Sequence, residues 1–254
     1  MIFDSHAHYD SEQFNEDRQQ VIEGLAEYGV AKVINAASDK DSLEKTLKLT
    51  EEYDFFYGAL GIHPTETEGI TMQDMDFIQK QAALPKVVAI GEIGLDYYWD
   101  NVAKEEQKKW FDIQLELCRE TGLPVIIHSR EACKDTLDML KPRKDITGVI
   151  HCYSYTKETA RDYLNMGYYF GIGGVVTYKN AAKLKEAVEY IPMDRILLET
   201  DCPYLAPVPM RGKRNSSALI PYIIEEIARI KNLDREAVEA ATWDNTINLF
   251  LKNK

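Results

Sequence analysis

Short runs of β-branched and apolar residues alternate along this chain with longer stretches whose apolar positions recur at helical spacing. The short runs predict strands near Ile2–His8, Ala31–Ala37, Phe55–Ile62, Lys86–Glu92, Val125–His128, Gly148–His151, Tyr168–Ile172 and Arg195–Asp201. Among the longer stretches, Lys104–Thr121 carries Trp110, Ile113, Leu117, Cys118 and Thr121 at helical spacing, and Gly122 then Pro124 stop it. Similar helices are predicted at Asp17–Tyr28, Asp41–Tyr53, Glu131–Leu140, Lys157–Met166 and Asn180–Tyr190, with Ser217–Ile230, Arg235–Ala241 and Asn245–Leu251 closing the chain. Strands that alternate with helices build a parallel sheet. Eight such units in 254 residues fit an α/β fold, the (β/α)8 TIM barrel, as a single domain over 1–254 with its active site at the C-terminal ends of the strands. A doubly wound open sheet is the alternative. The first strand-to-helix turn lacks G-x-G-x-x-G, however, and Gly171-Ile172-Gly173-Gly174 is not that motif.

The pattern acquires chemistry when the histidines are placed on it. The chain has five, His6, His8, His63, His128 and His151, and each falls at or just past the C-terminal end of a predicted strand. Glu92 and Asp201 do the same. Side chains alternate along a strand, so His6 and His8 share a face, one layer apart. A lone histidine at a strand end is usually structural; five at one pole with two acids point to a metal site. His6, His8, His128 and His151 offer nitrogen, and Glu92 and Asp201 offer oxygen. Six ligands exceed one tetrahedral ion and suit two divalent ions sharing a carboxylate, for which Glu92, from the middle of the barrel order, is the candidate bridge. The plainer readings are a buried Glu92 paired with an arginine and an Asp201 that caps a helix. His63, in Gly61-Ile62-His63-Pro64, would bind substrate, join the outer shell, or be a satisfied loop histidine.

Strand parity extends the list. It turns Cys152 and Cys202 away from the barrel axis, and it places Asp4 beneath His6 and Glu199 beneath Asp201, where buried carboxylates could orient ligating imidazoles. Two stretches line the same rim. Arg211, Lys213 and Arg214 would hold an anion unless they are simply a solvated loop. Tyr97-Tyr98-Trp99 would stack bases or pack the loop.

Composition narrows the class. With 45% hydrophobic and 28% charged residues the chain is an ordinary globular one. A net charge of −12 argues against a protein that coats nucleic acid electrostatically, though not against a local site where metal ions supply the positive charge. Four cysteines without C-x-x-C spacing give neither a zinc knuckle nor a redox motif. No apolar run approaches the roughly 18 residues of a membrane span, and Asp4 and His6 stand where a signal peptide would be basic and then apolar. A cytoplasmic location is expected, with no membrane partner and no obligate protein partner.

The chain resembles the TatD-related deoxyribonucleases, metal-dependent hydrolases of the amidohydrolase-like barrel group. The resemblance runs essentially end to end. It is carried by Asp4-Ser5-His6-Ala7-His8, Gly61-Ile62-His63-Pro64, Gly91-Glu92-Ile93-Gly94-Leu95-Asp96-Tyr97, Ile127-His128-Ser129-Arg130, His151-Cys152-Tyr153-Ser154, Glu199-Thr200-Asp201-Cys202-Pro203-Tyr204-Leu205 and Arg211-Gly212-Lys213-Arg214-Asn215. It implies one ion on His6, His8, Glu92 and Asp201 and a second on Glu92, His128 and His151, with Zn, Mn, Mg or Fe all admissible on these donors. It implies hydrolysis of DNA as a transient substrate, 3′-to-5′ and preferring single strands, with RNA as a further candidate. Deacylation of D-aminoacyl-tRNA, or hydrolysis of a small ester or amide, is the alternative. A metal-binding protein without turnover is disfavoured, because six ligands over two ions leave positions open that structural sites close.

Divalent ions bring the pKa of water toward neutrality. Asp201 would then take the remaining proton as general base, Glu92 would bridge, and His63, Arg130 and Arg211 would steady charge on the phosphoryl oxygens. Two departures from the family pattern stand out. Ser216-Ser217 follow Asn215 where the family has Glu-Pro, and Tyr155 stands where it has Gly. Both are expected on the substrate side.

Overall fold

Eight strands pair in chain order, each parallel to the next. They are β1 (Ile2–Ala7), β2 (Val30–Ala36), β3 (Phe56–Leu60), β4 (Val87–Asp96), β5 (Val125–Arg130), β6 (Gly148–Ile150), β7 (Tyr169–Ile172) and β8 (Ile196–Leu198). A bridge between Ala7 and Cys202 brings the two ends of the sheet together. The His8 N–H donates to the Cys202 carbonyl at 2.8 Å, and the Asp201 N–H donates to the His6 carbonyl at 3.0 Å. The result is a (β/α)8 TIM barrel, seen here in a computed structural model that describes residues 1–252.

The helices are α1 (Arg18–Glu23), α2 (Lys40–Glu52), α3 (Met72–Gln81), α4 (Lys104–Thr121), α5 (Cys133–Leu140), α6 (Lys157–Asn165), α7 (Ala182–Tyr190), α8 (Ile220–Lys231) and α9 (Arg235–Phe250). Alternation along the strands separates two apolar layers. Phe3, Ile34, Val88, Ile126, Val149 and Leu197 pack with Phe250 of α9. Ile127, Ile150 and Leu198, one residue on, join the larger layer with Trp110, Leu137 and Ile223 of the helices. Each such buried side chain contributes about 1.5–3 kcal/mol relative to exposure. No helix among the described residues is long and apolar enough to cross a membrane.

Several elements differ from those the sequence predicts. Helix α3 went unpredicted because only Met75 and Ile78 of it are buried, which leaves little amphipathic signal; a Thr71–Asp74 capping box starts it. The predicted helix Asp17–Tyr28 is α1 followed by a 3-10 stretch at Gly24–Tyr28. Arg235–Ala241 and Asn245–Leu251 are one helix, since Thr242 and Thr246 hydroxyls donate to carbonyls one turn back instead of breaking it. Strand β4 runs on past Glu92 to Asp96, whereas β8 stops at Leu198, short of Asp201. The extension of β4 needs Gly94, with φ of 147°: a Cβ there would lie 1.9 Å from the His128 carbonyl oxygen.

Candidate metal centre

His6 lies in β1 and His8 just beyond it; His63 follows β3, His128 lies in β5 and His151 follows β6. Glu92 is mid-β4. Asp201 lies three residues past β8 with φ of 57°, a left-handed conformation that aspartate adopts more readily than most residues. Its hydrogen bond to the His6 carbonyl fixes it beside the histidine pair.

The His8 Nδ1–H donates to the Ala36 carbonyl at 2.8 Å, so Nε2 of the neutral ring carries a lone pair. That atom lies 3.1 Å from His6 Nε2. Glu92 Oε2 is 3.2 Å from His6 Nε2 and 3.6 Å from His8 Nε2, and Asp201 Oδ1 is 3.6 and 3.3 Å from the same two atoms. Four donors around a tetrahedral ion at about 2.1 Å stand about 3.4 Å apart. Lone pairs converging at that spacing repel one another unless a cation or proton lies between them. His6, His8 and Asp201 converge as a group able to hold an ion, with Glu92 Oε2 beside the two histidines.

The other oxygen of Glu92 faces a second group. Oε1 lies 2.8 Å from His128 Nδ1, 2.9 Å from His151 Nε2 and 3.8 Å from His63 Nε2. The first two are spacings of charge-assisted hydrogen bonds, tighter than ion-separated donors. Carboxylates stand behind both rings: His128 Nε2 is 2.9 Å from Asp96 Oδ2, and His151 Nδ1 is 3.4 Å from Glu199 Oε1. Glu199 has room in the barrel because of Gly171, where a Cβ would lie 1.9 Å from its Oε2. Among the described residues, donors suited to an ion fall into overlapping groups: His6–Glu92–His151, His6–His8–Asp201 and His63–Glu92–His128.

The electrostatics follow. Burial raises the carboxyl of Glu92, but His151 and His6 outweigh it and hold it well below the usual range. Asp201 is lowered in the same way, against burial, chiefly by His8. Burial opposes charge on His8, yet Asp201 and Glu92 bring it up to about 9. His63 goes the other way, down to about 3, through burial and the neighbouring His128. The acids stay ionised, and positive charge is favoured between them.

His63 stands at the edge of this cluster. Its Nδ1 lies 2.7 Å from the Thr65 hydroxyl and 3.3 Å from the Thr65 N–H, and its Nε2 faces Glu92. Glu199 meets the ring of His151, as strand parity suggests. Asp4 does not meet a ring. Its carboxylate accepts from the His6 N–H (3.2 Å), the Thr200 N–H (3.1 Å) and hydroxyl (2.7 Å), and the Ser217 hydroxyl (2.6 Å). The physical reason is a slip in the β1–β2 register between Asp4 and Ala7, across which parity does not carry. Parity also lacks its premise for Cys152, which lies past β6 with φ of 45°; neither thiol joins a donor group among the described residues.

At the rim, the Arg130 guanidinium lies 3.8 Å from the centre of the Tyr98 ring, and Arg211 lies 4.4 Å from that of Tyr178. Lys213 is exposed. Arg214, expected to hold an anion, is instead committed internally: it pairs with Asp17, donates to the Gln13 carbonyl and lies over Phe14. Two positioning residues escaped the sequence reading. Asn35 accepts from the Tyr9 N–H at 2.6 Å and donates to Asp10 at 2.8 Å, pinning the turn after His8. Asp96 backs His128; it lies at even spacing from Glu92, and continuing β4 past Gly94 would have exposed it.

The sequence profile of the TatD related DNases matches residues 3–251. The chain belongs to the TatD-related DNase family. It is similar to YabD of Bacillus subtilis, named an uncharacterized metal-dependent hydrolase, at 42% identity with all of both chains covered. It is 36% identical to a Rahnella protein named 3'-5' ssDNA/RNA exonuclease TatD, over 94% of each. The crystal structure of the Escherichia coli TatD homologue YjjV is 30% identical and superposes with a TM-score of 0.93 over 98% of this chain and 97% of that one. This is a family of metal-dependent hydrolases, and the donors described above are of the kind such chemistry requires. At the two departures in sequence, Ser217 is buried, whereas Ser216 and Tyr155 are half-buried. Ser217 bonds Asp4 and Tyr9, and the Tyr155 hydroxyl lies 3.0 Å from Ser129 Oγ and accepts from the Ala132 N–H.

Proposed function

We propose that this protein hydrolyses phosphodiester bonds at the 3′ end of single-stranded DNA, using two divalent ions held on the floor of the site. The observation that carries this is the division of Glu92, whose Oε2 faces His6 and His8 while Oε1 faces His128 and His151. A carboxylate so placed is suited to bridge two ions. One ion would take His6, His8, Glu92 and Asp201, and the other Glu92, His128 and His151. Bound there, Zn, Mn, Mg or Fe ions supply Lewis acidity toward a phosphoryl oxygen and toward water.

The remaining roles belong to the chain. Asp201 is the acid suited to accept a proton, since its side chain is 18% exposed against 4% for Glu92, and only its Oδ1 is engaged with the histidines. His63, a neutral ring whose Nε2 faces the cluster, would offer an N–H from that atom to charge developing on phosphorus. Arg130 on Tyr98, with Trp99 exposed beside it, suits a base and its phosphate. Arg211 and Lys213 would take further phosphate contacts on the opposite loop. The name of the Rahnella relative supports single-stranded DNA or RNA over other esters. A net charge of −12 leaves little long-range attraction, so affinity for long duplexes should be weak.

The test is turnover of a 5′-labelled single-stranded oligonucleotide by metal-loaded protein, with duplex DNA, RNA and charged tRNA in parallel. Stepwise shortening from the 3′ end is expected, abolished by chelator and reduced about 10²- to 10⁴-fold in Asp201→Asn. Shortening of no nucleic acid, or indifference to chelator, overturns the proposal. Deacylation of the tRNA alone replaces it with ester hydrolysis on that substrate.

A further inference from the structure

We propose that Asp96 is a positioning residue with two tasks: it aims the metal-facing nitrogen of His128, and it fixes the aromatic edge that receives substrate. The proposal rests on the reading of His128 as a metal ligand. Asp96 is 1% exposed, and both its carboxylate oxygens are committed. Oδ2 lies 2.9 Å from His128 Nε2. Oδ1 accepts from the Tyr98 N–H at 2.9 Å and the Trp99 N–H at 3.3 Å.

A carboxylate ion only accepts, so its contact with Nε2 places the ring proton there. Nδ1 stands 2.8 Å from Glu92 Oε1, a charge-assisted hydrogen bond of the imidazolium; an ion displaces that second proton, and the Nε2 proton held by Asp96 leaves Nδ1 as the ligating atom. Asp96 thereby selects the tautomer and the ring orientation that make His128 a ligand through Nδ1. Asp96 is itself held in place: its N–H donates to Gln107 Oε1 at 2.9 Å, and Gln107 Nε2 returns a bond to its carbonyl at 2.9 Å. Its other oxygen stops the chain from fraying as β4 ends, setting the backbone that carries Tyr98 under Arg130. The metal-facing nitrogen and the stacking edge thus share one anchor.

Asp96→Asn separates the two tasks. The amide oxygen can still accept from Tyr98 and Trp99, but the amide nitrogen donates to His128 Nε2 and drives the proton to Nδ1, where it blocks ligation. Calorimetric titration of metal-free protein with Mn²⁺ should show two ions for the wild type. In Asp96→Asn one should weaken about 10- to 100-fold while the other is retained. Trp99 emission, measured as the difference from a Trp99→Phe background, should be unchanged in Asp96→Asn and shifted in Asp96→Ala. Two ions bound by Asp96→Asn with wild-type affinities overturn the proposal alone. A wild-type protein that takes up no ion fails the reading of the site, and the proposal with it. Anomalous diffraction from Mn-loaded wild-type crystals tests it without a variant: an ion on His128 Nδ1 supports it, and an ion on Nε2 overturns it.

Discussion

The floor of this site and its rim hold their functional groups in different ways. On the floor, three rings have fixed acceptors on their outer nitrogens: Ala36 behind His8 and Asp96 behind His128 at hydrogen-bond distance, and Glu199 behind His151 at 3.4 Å. These rings stand on strands or within a residue of them, so their inward nitrogens converge before anything binds. At the rim, Arg130 and Arg211 rest on the faces of Tyr98 and Tyr178, and Tyr98 and Trp99 are 50% and 55% exposed. Stacking steadies such groups without fixing them. The contrast suggests that the floor sets the chemistry and the rim sets what may dock.

The strongest way to break that division is Glu92→Gln. An amide cannot present two anionic oxygens, so turnover should fall by more than the roughly 10- to 100-fold that loss of an outer contact brings. A milder test lies at the rim. Tyr98→Ala removes a stacking face worth about 1–3 kcal/mol per base, which should raise KM for single-stranded DNA about tenfold or more. Its kcat, and its activity on a small chromogenic phosphodiester, should stay near wild type. Arg214→Ala sharpens the rim further: tied to Asp17, it should leave KM unchanged and lower the melting temperature slightly.

Legibility in the sequence follows the same division. Strand ends are specified by period-two patterning and by their punctuation, so His6, His8, His128 and His151 could be placed together with no alignment. Glu199 was expected inward, beneath Asp201, from alternation along a strand predicted to reach Asp201; β8 stops at Leu198, and the carboxylate faces His151. Alternation failed for Asp4, because a register slip in β1 leaves no mark in the order of residues. It was not carried to Asp96 because the predicted strand ends at Glu92, whereas Gly94 lets β4 run on close to His128. Rim positions were the hardest. Nothing in Arg211-Gly212-Lys213-Arg214 says which cation is paired with an acid some 200 residues away in the chain, since Asp17 reaches Arg214 only through the closed barrel.

The smallest expected effect lies outside both regions and calibrates them. Glu226 accepts from Arg229 and lies 2.7 Å from Lys185, and these cations hold its carboxyl down at about 2 against a partial burial cost. A depressed folded pKa stabilises above the unfolded value near 4.5 and loses that stability as pH falls toward 2. Glu226→Gln should therefore cost about 1 kcal/mol or less at pH 7, after solvent screening, and the difference from wild type should vanish by about pH 2. Denaturant melts at both pH values check it, with turnover unchanged at pH 7.

Bridging by Glu92 is tested most directly by electron paramagnetic resonance during titration of the metal-free protein with Mn²⁺. Two ions per chain are expected, giving an exchange-coupled multiline spectrum that collapses to isolated-ion signals in Glu92→Gln. One ion per chain at saturation, or two ions without exchange coupling, would contradict a shared carboxylate and the hydrolytic centre built on it.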